Sequence, residues 1–311
     1  MKTFECPSSP ESLSASFERH RARLFALAYR MLGSRADAED VLQDAYVRWH
    51  QAEGWTAASV EAWLVTVVTR LCIDRLRAAR SEREVYVGPW LPEPLLETAS
   101  GAEAQAELAS SLSTAFLLLM ERLAAEERAA FLLHDVFETD YSEISCILTK
   151  SATACRQLVS RARKRLRDGR PRIDVNPEAV RSLLDRFVHA VHEQDRGALL
   201  ELFAREAAWT SDGGGKARAA RKVIQGRERI ARFVLGVLAR PRHRLEFLPA
   251  IINGEPGLVL RRDGEGFAAL SVSTDGVQIG DVFVVLNPDK LRLAFESKSL
   301  SVVTGDTRRT S

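Results

Sequence analysis

The chain has 311 residues, 46% hydrophobic and 28% charged, a balance that excludes a disordered or fibrous polymer and fits two or three globular domains. No run of about 18 uncharged apolar residues occurs, so no membrane-spanning helix and no membrane partner are expected. The first twenty residues carry acids and no apolar run, which argues against a secretory leader and for a cytoplasmic protein. Cys6, Cys72, Cys146 and Cys155 form no CxxC pair and no zinc spacing. Reduced thiols are expected, with no metal and no cofactor.

The formal net charge of +2 conceals a strong local asymmetry. Residues 81–149 hold 3 bases and 13 acids, whereas residues 150–175 hold 9 bases and 2 acids. A short cationic block beside an acidic one points to a single element that meets a polyanion.

Residues 14–85 read as the first helical domain. Phe17, Leu24, Leu27, Ala28 and Met31 recur at helical spacing, and Gly33 ends that helix. Ser34 to Asp37 reads as a capping box opening the next helix. Its apolar stripe is Ala38, Val41, Leu42, Ala45 and Trp49; its other face carries Asp37, Asp40, Gln43, Asp44 and Arg48. From composition alone the acids are a solvated face, with Asp37 and Glu39 placed well for the helix dipole. A third helix starts near Ser59 and presents Val60, Trp63, Leu64, Val67, Val68 and Leu71. It also carries Arg70, Asp74, Arg75, Arg77 and Arg80. Cations on a helix that also presents Trp63 suit single-stranded nucleic acid, since arginine tracks phosphates and indole stacks bases. A basic helix end that complements the macrodipole is the competing reading.

Residues 86–111 form a linker with Gly88, Pro89, Pro92 and Pro94, which exclude a continuous helix. Trp90 and Leu91 are too apolar to remain in water. They either pack locally on the first domain or clip domains together.

Residues 112–169 read as a second helical domain. One helix covers roughly Glu126–Phe137. Asp140 to Glu143 is a further capping box, and Ser151 caps the final helix, Ala152–Arg167. A short helix, a tight turn and a longer basic helix are the signature of a helix-turn-helix. Thr153, Arg156 and Gln157 then lie nearest base edges, with Arg suited to guanine and Gln to adenine. Arg161, Arg163, Lys164, Arg165 and Arg167 lie nearer phosphates.

Residues 176–300 read as helices with a strand at Ala207–Thr210, followed by four alternating segments, an α+β pattern. Asp212, His189, His192 and His243 are the visible catalytic candidates, but nothing in the spacing brings them together, and no enzyme activity is expected. The loop Asp212-Gly213-Gly214-Gly215-Lys216 lacks P-loop spacing. Its glycines permit either a flexible turn or close approach of a phosphate or a protein edge.

The string AYRMLGSRADAEDVLQDAYVRW closely resembles the polymerase-binding region of extracytoplasmic-function sigma factors. The following AWLVTVVTRLCIDRLRAARSEREVYVGPW resembles their −10-reading helix, and RLAAEERAAFLLHDVFETDYSEISCILTKSATACRQLVSRARKRL their −35-reading helix-turn-helix. The strings WLPEP (Trp90, Leu91, Pro92, Glu93, Pro94), DGGGK and NPDKL (Asn287 to Leu291) resemble the subfamily with a fused SnoaL-like α+β cone. The resemblance implies two all-α sigma domains followed by that cone, and a transcription initiation factor whose partners are core RNA polymerase and promoter DNA. It implies that Asp37, Glu39, Asp40, Gln43, Asp44 and Arg48 contact the polymerase clamp helices of the β′ subunit. It implies that Trp63, Arg70, Asp74, Arg77 and Arg80 meet the −10 strand. Ser151, Thr153, Arg156, Gln157, Ser160, Arg161 and Lys164 would meet the −35 duplex. The WLPEP and DGGGK residues would be regulatory. A small-molecule signal in the C-terminal cavity is a further expectation. A one-component repressor with a ligand-sensing cone is the alternative.

Overall fold

The computed structural model describes residues 10–51, 60–96, 113–167, 175–237 and 245–296. It divides into two compact units. One holds the chain up to Val85 together with Leu117–Pro171; the other holds Tyr86–Phe116 and the chain from Arg172 onward.

The first unit is all helical. Helices α1 (Pro10–Leu32), α2 (Arg35–Gln51) and α3 (Val60–Glu84) pack around Leu24, Leu27, Met31, Leu42, Trp49 and Leu64, all buried. Gly33 adopts φ 67°, which ends α1 in the left-handed region, as the sequence requires. Ser34 Oγ then accepts from the Asp37 amide at 3.2 Å, capping α2. The buried stripe of α2 is the expected one: Ala38, Val41, Leu42, Ala45 and Trp49. Ser59 lies outside the described residues, so its capping of α3 does too.

The rest of this unit runs from Leu117 through the remainder of α4 (Thr114–Met120), whose first residues belong to the other unit, then α5 (Ala125–Phe131), a π turn (Leu132–Val136), α6 (Tyr141–Leu148) and α7 (Ala152–Arg167). The sequence suggests one helix over Glu126–Phe137; the structure breaks it. The wider turn lets Leu132 and Leu133 both reach the core, each with 0% exposure. Asp140 caps α6 by accepting from the Ser142 and Glu143 amides. Thr149, at φ 55°, makes the tight turn, and Ser151 Oγ accepts from the Ala154 amide to start α7.

The second unit is α+β. Helices α8 (Pro177–His192), α9 (Arg196–Leu202) and α10 (Arg227–Val237) accompany a six-stranded sheet. Its strands are β1 (Phe203–Asp212), β2 (Ile224–Gln225), β3 (Leu245–Ile252), β4 (Glu255–Arg262), β5 (Glu265–Thr274) and β6 (Ile279–Val285), ordered β2-β1-β6-β5-β4-β3. Among the described strands only the β1–β6 pair is parallel. Leu183, Leu184 and Phe187 of α8 join Leu258, Leu260, Leu270 and Val282 of the sheet in one core. Asn176 caps α8 with Pro177 in its first turn, the arrangement that proline's missing donor favours. Two elements go beyond the expected ones. Strand β2 has two residues and so no readable period. Helix α11 (Pro288–Glu296) opens on Asn287, whose side chain accepts from the Asp289 amide at 3.1 Å.

The described part of the linker, from Tyr86, belongs to this α+β unit, which removes one of the two readings, that Trp90 and Leu91 pack on the first domain. Leu91 is fully buried, and Glu93 is 4% exposed. Leu95 and Asn253 exchange hydrogen bonds, Leu95 N to Asn253 Oδ1 at 2.9 Å and Asn253 N to Leu95 O at 2.8 Å. An extended, proline-set strand is the form that can add such bonds to the β3–β4 turn.

Candidate nucleic-acid interface and linker lock

The polar side of α2 divides by what each residue touches. Glu39 takes Arg21 at 2.5 Å, and Asp37 takes Arg75 through Nε at 2.9 Å and Nη2 at 2.5 Å. These two carboxylates hold α2 to its neighbours. Asp40, which also lies 3.8 Å from Arg75, and Gln43, Asp44 and Arg48 lie exposed at helical spacing on one face. Val47, 47% exposed, sits among them. A valine inside a charged face was readable in the sequence only as a break in polarity. It places an exposed apolar side chain among the charged residues of that face.

Along α3, Trp63 is half-buried, its ring 5.3 Å from that of Trp49. Asp74 and Arg77 are exposed and lie 3.5 Å apart; the side chain of Arg80 lies outside the described ones. Arg70 is committed elsewhere. Its Nε donates to Ile147 O at 3.0 Å, and Nη2 donates to Cys146 O at 3.2 Å and to Thr149 Oγ1 at 3.1 Å. The guanidinium thus caps the carbonyl end of α6, where a cation also meets the negative end of the helix dipole. Glu126 of α5 joins the same seam, pairing with Arg77 at 3.0 Å and Lys150 at 3.2 Å.

Helix α7 buries Cys155, Leu158, Val159 and Ala162 and turns Ser151, Thr153, Arg156, Gln157 and Ser160 to solvent. The candidate readers therefore share the open side of its first turns. Arg156 lies over the Tyr141 ring at 5.1 Å, which orients its fork. The expected phosphate cations are less uniform than the sequence suggests. Arg161 and Arg165 reach Glu127 at 3.3 and 2.5 Å, and Arg163 grips Asp135 through two bonds of 2.8 and 2.6 Å. Lys164 and Arg167 remain exposed without a carboxylate partner among the described residues. These internal pairs are invisible in a charge count because their acids lie 28–38 residues away.

The second unit builds a different site around Asp212, which has 0% exposure. One carboxylate oxygen accepts from the Tyr86 hydroxyl at 2.6 Å and the Gly214 amide at 3.0 Å. The other accepts from the Leu91 amide at 2.9 Å and Lys290 Nζ at 2.7 Å. Lys290 also donates to Leu91 O at 2.5 Å and lies over the Trp90 ring at 4.3 Å. Asn287 Nδ2 donates to the Tyr86 hydroxyl at 3.0 Å. Burial, together with the Asp212 carboxylate, pushes the Tyr86 phenol well above its ordinary range. DGGGK and NPDKL thus meet in space and close on the linker at Tyr86 to Leu91.

The glycines have a steric reason. A Cβ on Gly214, at φ 57°, would lie 2.3 Å from Asn287 Nδ2, and one on Gly213 would lie 2.5 Å from Ala217 O. Lys216 pairs outside the lock, with Asp289 at 2.6 Å. Pro92 and Pro94 are buried beside Leu91. Sequence reasoning missed Tyr86, Asn287 and Lys290 as partners of Asp212. Their separations of 75 residues or more carry no local signal.

Of the catalytic candidates, His189 and His192 are exposed on α8, His243 lies outside the described residues, and Asp212 is engaged by the linker. Among the described residues no cluster of three His, Cys, Asp or Glu side chains could hold a metal, and no helix is long and apolar enough to cross a membrane.

Comparison with known proteins converges on the same parts. A Sigma-70 region 2 model matches residues 16–82 and a Sigma-70 region 4 model matches residues 113–166. The ECF RNA polymerase sigma factor SigJ of Mycobacterium tuberculosis is 33% identical, covering 89% of this chain and 92% of SigJ. The probable ECF RNA polymerase sigma factor SigI of the same species is 29% identical, covering 91% of this chain and 96% of SigI. The crystal structure of M. tuberculosis SigJ superposes with a TM-score of 0.72 at 31% identity, covering 90% of this chain and 98% of the other. That match extends through the C-terminal α+β unit and leaves the repressor alternative unfavoured. Matched at both helical regions and along nearly its whole length, the chain belongs to the extracytoplasmic-function sigma factors of RNA polymerase.

Proposed function

We propose that this chain binds core RNA polymerase through the Asp40–Gln43–Asp44–Arg48 face of α2 and directs it to promoters by reading the −35 duplex with α7. Its own linker and α+β unit regulate it. The observation that carries the reading is the exposed row Thr153, Arg156, Gln157 and Ser160 at the start of α7, behind a turn capped at Ser151. Such a row suits base edges in a major groove.

A second observation bears on regulation. Elements at −35 and −10 lie about 25 base pairs apart, roughly 85 Å at ~3.4 Å per step. Here Arg70 of α3 touches the backbone of α6 at 3.0 Å. The same contact cannot persist while α3 and α7 each occupy their own element. The arrangement is a closed form of the helical unit, and engagement of both elements requires the Arg70 and Glu126 contacts to part. Asp212, Lys290 and Tyr86 fix the linker at Tyr86 to Leu91 within the α+β unit.

The test is association of the full chain with core polymerase lacking any specificity subunit, followed by run-off transcription on promoter variants. Association and base-specific initiation are expected. Tight operator binding by the chain alone, with no association with core, would overturn the reading.

A further inference from the structure

The α+β unit contains a cavity of about 1770 Å³, beyond the ~300–1,000 Å³ of common ligand clefts. Its floor is apolar. Trp209, Leu260, Leu270 and Val284 line it from the sheet, and Phe233 and Phe295 from α10 and α11. Its mouth is cationic. Arg218, Arg221, Arg262 and Arg292 all line it, all are exposed, and none has a carboxylate partner among the described residues. The cation–acid pair at the rim, Lys216 with Asp289, is already neutralised. Arg262 lies over the Phe267 ring at 4.3 Å, which places one guanidinium where apolar wall and mouth meet.

One polar point interrupts the floor. Ser211, 2% exposed, lines the cavity and accepts from Trp209 Nε1 at 2.8 Å. Its own hydroxyl hydrogen has no acceptor among the described residues and is left to donate. A buried donor of this kind is costly unless something accepts from it.

The fourth wall is the linker. Val87, Gly88 and Pro89 line the cavity, directly between Tyr86 and Leu91, which Asp212 holds. Gly215 approaches Val87 closely enough that a Cβ there would lie 3.2 Å from the valine. Contents of the cavity and position of the linker therefore share a wall.

We infer that this cavity takes a long-chain amphipathic carboxylic acid. Its anionic head sits at the arginine mouth, its apolar body lies on the Trp209–Leu270 floor, and its occupancy is read by the linker. The inference deepens the regulatory reading above and rests on it for the consequence, though not for the binding. Apolar area drives entry. The unpaired guanidiniums select for a negative head, since a neutral analogue forgoes the charge-assisted bonds.

The test uses the full chain, with dodecanoate below its micelle concentration competing against anilinonaphthalene sulfonate fluorescence. Dodecanoate is expected to bind saturably at one site, at least ten-fold more tightly than dodecanol. Arg262→Gln combined with Arg292→Gln should weaken dodecanoate at least ten-fold with the melting temperature unchanged, because both side chains are exposed. Absence of saturable binding, equal binding of dodecanol, or an unaffected double variant would each overturn the ligand class. Hydrogen exchange at residues 86–91 should change on binding; an unchanged profile with dodecanoate bound would overturn the link to the linker. Core polymerase association of the ligand-free chain, measured in parallel, reports on the sigma reading separately.

Discussion

The two units hold their working segments in opposite ways. In the helical unit α3 meets the helix-turn-helix through charged side chains that remain in contact with water. Arg77 is 59% exposed, and the Glu126 side chain that it shares with Lys150 is 31% exposed. In the α+β unit the linker is held by a carboxylate with no exposure and an ammonium only 13% exposed. Exposed pairs contribute little, typically 0–1 kcal/mol each, and weaken with salt. Buried pairs are costly to assemble, but breaking one by removing a single partner is far worse. On the proposed reading the helical unit is the part that opens and the Asp212 cluster the part that holds.

The sharpest way to break that contrast is Asp212→Ala. It removes the buried carboxylate 2.7 Å from Lys290 Nζ and deprives the Tyr86 hydroxyl and the Leu91 amide of their acceptor. A loss of about 3–5 kcal/mol is expected, read by denaturant unfolding of the full chain. Faster proteolysis at Tyr86 to Leu91 should accompany it. Unfolding at wild-type denaturant concentrations would show that the lock contributes nothing.

A second pair of variants separates reading from gripping on α7. Arg156→Ala should cost about 1–3 kcal/mol at one base position and relax preference there. Lys164→Ala should weaken binding evenly across sequences and reduce the salt slope by about one. Run-off transcription on single-base promoter variants at several salt concentrations distinguishes them. An unchanged base preference in Arg156→Ala would remove it from the reading set.

The smallest effect belongs to Glu126→Gln, which weakens the pairs to Arg77 and Lys150 together. Less than about 1 kcal/mol of stability is expected to be lost, and less still at high salt. If the closed form restrains initiation, transcription should rise while stability hardly moves. A large loss of stability would contradict the contrast between the units.

Much of the helical unit was legible in the sequence because its signals are local. The stripe Ala38 to Trp49, the stop at Gly33, and the caps at Ser34, Asp140 and Ser151 each depend on residues within one or two turns. The charge step after residue 149 marked α7, and its open face followed from helical spacing. The π turn at Leu132–Val136 was not legible, since it is set by which leucines the core will accept. The pairing of Arg161, Arg163 and Arg165 was hidden for a related reason: net charge counts cations without showing which acids fold back on them.

The sequence by itself determined the order of helices, the start of the reading helix and the chemistry of its exposed row. Side chains three or four residues apart on a helix must share a face wherever the helix is placed. Tertiary structure alone decided that Arg70 caps α6, and that Asp212, Lys290 and Tyr86 meet over the linker. Those partners are separated by 77 to 126 residues. No local propensity can bring such groups together; burial of the surrounding apolar surface does, and the hydrogen bonds then follow from which polar groups are left inside.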